Sequence, residues 1–178
     1  MRRGHAVALA GALLLLLVTA MDWYSTATGD EARRLERITE DSSGAEAGEV
    51  DRRLNEDAQF VAEGEEKNAW QADALVDRIL LVLMLGAAAM AVLTAVTRAA
   101  GAKPTEGLGP AGVAALLATA AALLVAYRII QEPGLDVATN VKAGAPLALI
   151  PLALIALGSS YALRADVREE EQADAEAA

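Results

Sequence analysis

The chain has 178 residues, of which 54% are hydrophobic and 22% charged, with a net charge of −10 and no cysteine. That length suits one small domain. The missing cysteine excludes disulfides, thiolate nucleophiles and thiolate-held metals, and the negative balance argues against a nucleic-acid partner.

The apolar residues are gathered into four blocks, with the charges confined to the gaps. A helix rises about 1.5 Å per residue, so about 20 apolar residues match a hydrocarbon core of about 30 Å. The predicted fold class is all-α: a four-helix transmembrane bundle with an acidic extracytoplasmic loop between helices 1 and 2. The whole chain is read as a single integral membrane domain over 1–178. Its helices are expected at about 6–21, 74–97, 108–130 and 143–163, with an outer loop at 22–73 and an acidic cytoplasmic tail at 164–178.

The first block follows Arg2 and Arg3 and runs to Met21. With Val18-Thr19-Ala20 at its end it reads either as a secretory signal or as a retained signal anchor. Asp22-Trp23-Tyr24 comes directly after, where an interfacial aromatic belt belongs, and favours retention. The connector that follows, Asp22 to Asp73, carries 15 Asp and Glu against 6 Arg and Lys. Two weakly helical stretches, near Glu31–Glu40 and Glu49–Ala62, flank a hinge at Ser42-Ser43-Gly44. So few apolar residues recur there that a marginal helical hairpin or a disordered, solvated loop is expected.

The second helix opens with Asp73 and Asp77, suited to the positive end of a helix dipole, and ends at Arg98 before Lys103 and Pro104. Pro110 fits the first turn of the third helix, which closes on Tyr127-Arg128 before Glu132-Pro133-Gly134. Pro146 and Pro151 predict a bend in the fourth helix, and Arg164 marks its end.

A cytoplasmic amino terminus puts Arg2, Arg3, Arg98, Lys103, Arg164 and Arg168 inside, in keeping with the positive-inside tendency. It also places Trp23, Tyr24, Trp70 and Tyr127 at the outer interface and Tyr161 at the inner one. The chain is therefore expected in the plasma membrane, multi-pass, with both termini cytoplasmic.

The candidate interaction site is the outer rim: Trp23, Tyr24, Trp70, Asp73, Asp77, Tyr127 and Arg128. Antiparallel neighbours bring Asp77 and Arg128 to similar depth, which suggests an interhelical ion pair with Arg78 turned to headgroups; the alternative is that Arg128 snorkels alone. The aromatics either line an outer pocket or form a lipid belt. Small residues at four-residue spacing, Gly86 with Met90 beside Ala87–Ala89 and Gly158 with Ala162, suit close helix approach. His5, the only histidine, reads as a surface residue. No HExxH, phosphate-cradling glycine loop or Ser/His/Asp set is present. No charge lies near the middle of an apolar block, and Thr94, Thr119 and Ser159 can bond back to their own helices. No catalytic residue, metal ligand or cofactor is expected.

Trp23-Tyr24 after the first helix, Ala69-Trp70-Gln71-Ala72 and Asp77 ahead of Ile79-Leu80, Tyr127-Arg128 with Pro133-Gly134 soon after, and Gly158 late in the fourth helix together form a pattern. By it the chain resembles a group of small four-pass membrane proteins common in actinobacteria whose biochemical role is unassigned. The first loop is longer and more acidic than in that group, and the fourth helix lacks a Gly-Gly-Trp-like close. The resemblance implies that the first helix is retained; it implies no activity.

The expected function is that of a non-enzymatic structural, scaffolding or accessory subunit of the cell envelope. Its partners would be the lipid bilayer and a membrane protein or further copies of itself. The alternatives are a small oligomeric transporter or channel, or a membrane enzyme using the outer-rim carboxylates. Midplane polar groups would favour transport, and clustered carboxylates around a metal would favour an enzyme.

Overall fold

The computed structural model describes residues 3–42, 53–54, 56–61, 66–71, 75–101, 109–131 and 139–177. Four apolar helices make up most of it: α1 (Arg3–Thr19), α3 (Leu75–Ala99), α4 (Gly109–Ile130) and α5 (Gly144–Ala177). A fifth, α2 (Ala27–Ser42), is polar. Three short strands, β1 (Asp22–Thr26), β2 (Glu66–Asn68) and β3 (Thr139–Val141), complete the set. Three of the helices, α3, α4 and the apolar part of α5, are long and apolar enough to cross a membrane; α1, at 17 residues, is a shorter apolar helix.

The four apolar helices pack in a ring: α1 touches α5 and α3, and α4 touches α3 and α5. Connectivity makes ring neighbours antiparallel. Alanine fills much of the interior beside Leu15, Leu80, Met84, Leu152 and Ile155, and many other large apolar side chains face out. Ala12, Ala87, Ala114, Ala118, Ala121 and Ala148 are fully buried, whereas Leu17, Val82, Leu116, Leu123 and Leu157 are 59–69% exposed. Water would drive leucine inward. Small residues inside and branched apolar ones outside are what helices adopt when the surroundings are as greasy as the side chains and only close backbone approach rewards association.

At one end of the ring the strands form an antiparallel sheet in the order β2-β1-β3. A tight turn links α1 to β1, with the Ala20 and Met21 amides donating to the Leu17 and Val18 carbonyls. β1 pairs with β3 through Tyr24 and Val141 and with β2 through an irregular register between Asp22 and Tyr24. This sheet replaces part of the expected 22–73 loop. Of the two helical stretches expected there, the first is α2, capped by Thr26, whose hydroxyl accepts from the Gly29 amide at 3.2 Å. Residues 53–54 and 56–61 are helical within the second. Ser43-Gly44 of the expected hinge lies outside the described residues.

α5 departs most from the sequence expectation. It continues past Arg164 to Ala177, because the tail is built of Ala, Glu, Gln and Arg, which are strong helix formers in water as well as in lipid. Pro146 falls in its first turn, where no amide bond is lost, so Pro151 is its only interior proline. Gly101, in the left-handed conformation at φ 79°, ends α3. His5 is buried rather than surface-exposed. The Thr94 and Thr119 hydroxyls donate to the Met90 and Ala115 carbonyls of their own helices.

Candidate functional site

The rim residues separate into two groups. Tyr24, Asp77 and Arg128 meet where the sheet closes the ring. Asp77 sits in the first turn of α3 and Arg128 in the last turn of α4. The Arg128 guanidinium grips the carboxylate with two bonds, Nε to Oδ1 at 2.8 Å and Nη2 to Oδ2 at 2.6 Å. Such a fork-to-fork pair fixes orientation as well as charge. The Tyr24 hydroxyl donates to the same Oδ1 at 3.1 Å, and the Arg128 guanidinium carbon lies 5.8 Å from the Tyr24 ring centre. The pair's side chains are only 6% (Asp77) and 11% (Arg128) exposed. Arg78, on the next position, faces outward.

Trp23 lies beside this cluster, 1% exposed, with its indole N–H donating to the Val18 carbonyl at 2.9 Å. Its ring stands edge-on to Tyr24. Neither residue belongs to a lipid belt. β1 alternation cannot put both on one face, but the turn from α1 and the irregular register tuck Trp23 against the start of α5, where a Cβ on Gly144 would lie 2.6 Å from the indole. Among the described residues, the gap bounded by Trp23, Tyr24, Ala69, Asp77 and Leu80 has no room for a water molecule. Trp70 and Tyr127 stand apart from the cluster, each 52% exposed, as a belt requires. Ala69 is buried and Trp70 turned out by an Asx turn in which the Asn68 side chain accepts from the Trp70 and Gln71 amides. Asp73, like Ala72 and Pro133-Gly134, lies outside the described residues.

Burial first, then the adjacent Asp77 carboxylate, pushes the Tyr24 hydroxyl from 10.0 up to about 12. With the folded value raised, its contribution to stability is complete below about pH 10 and lost as pH rises through about 12. An alkaline titration of phenolate absorbance should therefore show a late component near 12 that Tyr24→Phe abolishes. A Tyr24→Phe titration that keeps that component would place it on another tyrosine.

Two polar ties escaped the sequence reading. The Asp30 carboxylate of α2 accepts from Lys142 and Asn140, beside and in β3, and from Ser25 of β1 at 2.8 Å. The Lys142 hydrogen bond, more than any other contact, holds Asp30 down at about 2. At the far end of the ring Arg98 pairs with Asp166 and lies 3.6 Å from Glu169. Ser25 apart, the partners in both ties lie more than 60 positions from each other, so no local pattern announces them.

Chemically the rim cluster is closed. Asp77 is engaged on both oxygens, and the gap it shares with Trp23, Tyr24, Ala69 and Leu80 admits no water. Among the described residues, no three His, Asp or Glu side chains gather as a metal site needs. What the cluster can do is fix β1, α3 and α4 relative to one another. No protein family, curated protein or solved structure matches the chain.

Proposed function

We propose that this chain is a non-enzymatic, four-pass integral protein of the plasma membrane, a structural or accessory subunit that presents a braced, acidic, sheet-capped end outside the cell. Both termini are cytoplasmic, and α1 is retained as the fourth span. The observation that carries the reading is the set of large apolar side chains, Leu17, Val82, Leu116, Leu123 and Leu157, exposed around a ring whose interior is rich in alanine, a pattern that suits lipid better than water. Retention is supported by Ala8, Ala12 and Leu15 of α1, which are core residues packed within the ring; cleavage after Ala20 would remove them.

The sealed rim cluster favours a bracing role over catalysis. The spans have no midplane charge to carry an ion, which weighs against a channel. Arg3, Arg98, Arg164 and Arg168 at the end away from the sheet support that orientation by the positive-inside tendency.

Because the native chain has no cysteine, single replacements report topology cleanly. Glu31→Cys in α2 should react with an impermeant maleimide in intact cells, and Glu171→Cys in the tail only after lysis. The reverse pattern would invert the protein. Isolation from native membranes should yield a stoichiometric membrane partner. A lone oligomer that conducts solute would overturn the accessory role.

A further inference from the structure

The end of the ring away from the sheet carries a furrow that the rim cluster does not explain. It lies on the outer side of the α1–α5 contact and has a volume of about 750 Å³, within the about 300–1,000 Å³ of small-ligand sites. It exists because Gly4 and Gly158 bring the two backbones together: a Cβ at Gly4 would lie 2.8 Å from the Gly158 carbonyl oxygen. The side chains beside that contact are Val7, Leu154, Leu157 and Tyr161, and the wall is almost wholly apolar.

Arg3 sits at the mouth of the furrow. On α5 the exposed residues Leu157, Tyr161, Arg164 and Arg168 follow at steps of four, three and four, which keeps them on one helical face. Two arginines elsewhere in the ring are engaged, while Arg78 faces outward at the sheet end. Arg128 is taken by Asp77, and Arg98 by Asp166 and Glu169. Among the described residues, none of Arg3, Arg164 and Arg168 has a carboxylate partner within salt-bridge distance. The first acidic residues of the tail, Asp166 and Glu169, pair with Arg98, and Arg164 and Arg168 precede the first acidic residue on this face, Glu171.

We infer that the α1–α5 furrow holds an anionic glycerophospholipid of the cytoplasmic leaflet, one acyl chain along Val7, Leu154 and Leu157 and the phosphate among Arg3, Arg164 and Arg168. An apolar trough lined at one end by Arg3, with Arg164 and Arg168 continuing the Leu157–Tyr161 face of α5 beyond it, is complementary to that molecule in both parts. A transmembrane helix of a partner would fill the trough and leave the three charges unanswered. The inference rests on the membrane reading above.

The test is native mass spectrometry of the full chain released from bilayers of equal phosphatidylglycerol and phosphatidylcholine. The wild type should retain phosphatidylglycerol by at least about fivefold over phosphatidylcholine, since each basic residue at a membrane surface contributes about that factor. Arg3→Gln with Arg164→Gln and Arg168→Gln should retain both lipids equally. Leu157→Trp, which fills the trough from its exposed side, should lose both. All four positions are on the surface, and helical content by circular dichroism checks that the variants fold. Equal retention by the wild type overturns the site, as does an unchanged preference in the triple variant. So does a dimer held through a Leu157→Cys disulfide at full yield, which would make a second copy the occupant. If instead the chain dissolves in carbonate without detergent, the membrane reading itself has failed.

Discussion

Asp77→Ala is expected to destabilise the protein by about 3–5 kcal/mol, the usual consequence of leaving one member of a buried ion pair without its partner. The Arg128 side chain, 11% exposed, would keep its charge beneath the sheet with no carboxylate to receive it. The Tyr24 hydroxyl would lose its acceptor at the same time. Asp77→Leu combined with Arg128→Met should lose much less, because an apolar pair of similar volume needs no compensation. Asp77→Arg should be at least as damaging as Asp77→Ala, and adding Arg128→Asp should recover part of the loss. Unfolding in detergent, followed by the near-ultraviolet signal of the buried Trp23, measures all four variants. A charge-swapped double variant no more stable than Asp77→Arg alone would mean that the pair contributes nothing as a pair.

That pair was legible in the sequence for a simple reason. In a bilayer, depth is set by helix length, so Asp77 at the start of one span and Arg128 at the end of its antiparallel neighbour must lie level. Tyr24 was not legible as its third member. Its inward direction comes from pairing with Val141, more than 100 residues away, in a strand of three residues. No period-two run precedes such pairing in Asp22–Thr26, Glu66–Asn68 or Thr139–Val141. An aromatic at a helix end then reads as a lipid belt by default, a reading that the exposed Trp70 and Tyr127 are compatible with and the buried Trp23 and Tyr24 are not. The end of α5 failed for the opposite reason. Charge ends an apolar span at Arg164, but it does not end a helix, because the backbone bonds of an Ala- and Glu-rich tail persist in water.

The glycines divide in the same way, and they set the second large effect. Gly86 and Gly158 look alike in sequence, each a small residue four positions from Met90 or Ala162. At Gly86 an added Cβ would meet only the Leu117 Cδ1 atom at 3.2 Å, the far end of a flexible side chain that can move. At Gly158 it would lie 2.6 Å from the Ala8 amide nitrogen and 2.8 Å from the Gly4 carbonyl oxygen, both backbone atoms of α1. Relief there requires the whole of α1 to move off α5. Gly86→Ala is therefore expected to be near neutral. Gly158→Ala should cost at least the about 1–3 kcal/mol typical of overpacking, and Gly158→Leu should detach α1 altogether. Detachment has a chemical readout, because Val18-Thr19-Ala20 resembles a signal-peptidase site that the folded chain holds against β1. The Trp23 indole is bonded to the Val18 carbonyl, and Thr19 is 1% exposed. If α1 is retained as proposed, Gly158→Leu should expose it to cleavage, seen in cells as a product shortened by about 20 residues at its amino terminus, while Gly86→Ala stays full length. If Gly158→Leu leaves the amino terminus intact and the unfolding midpoint unchanged, α1 does not owe its place to this crossing.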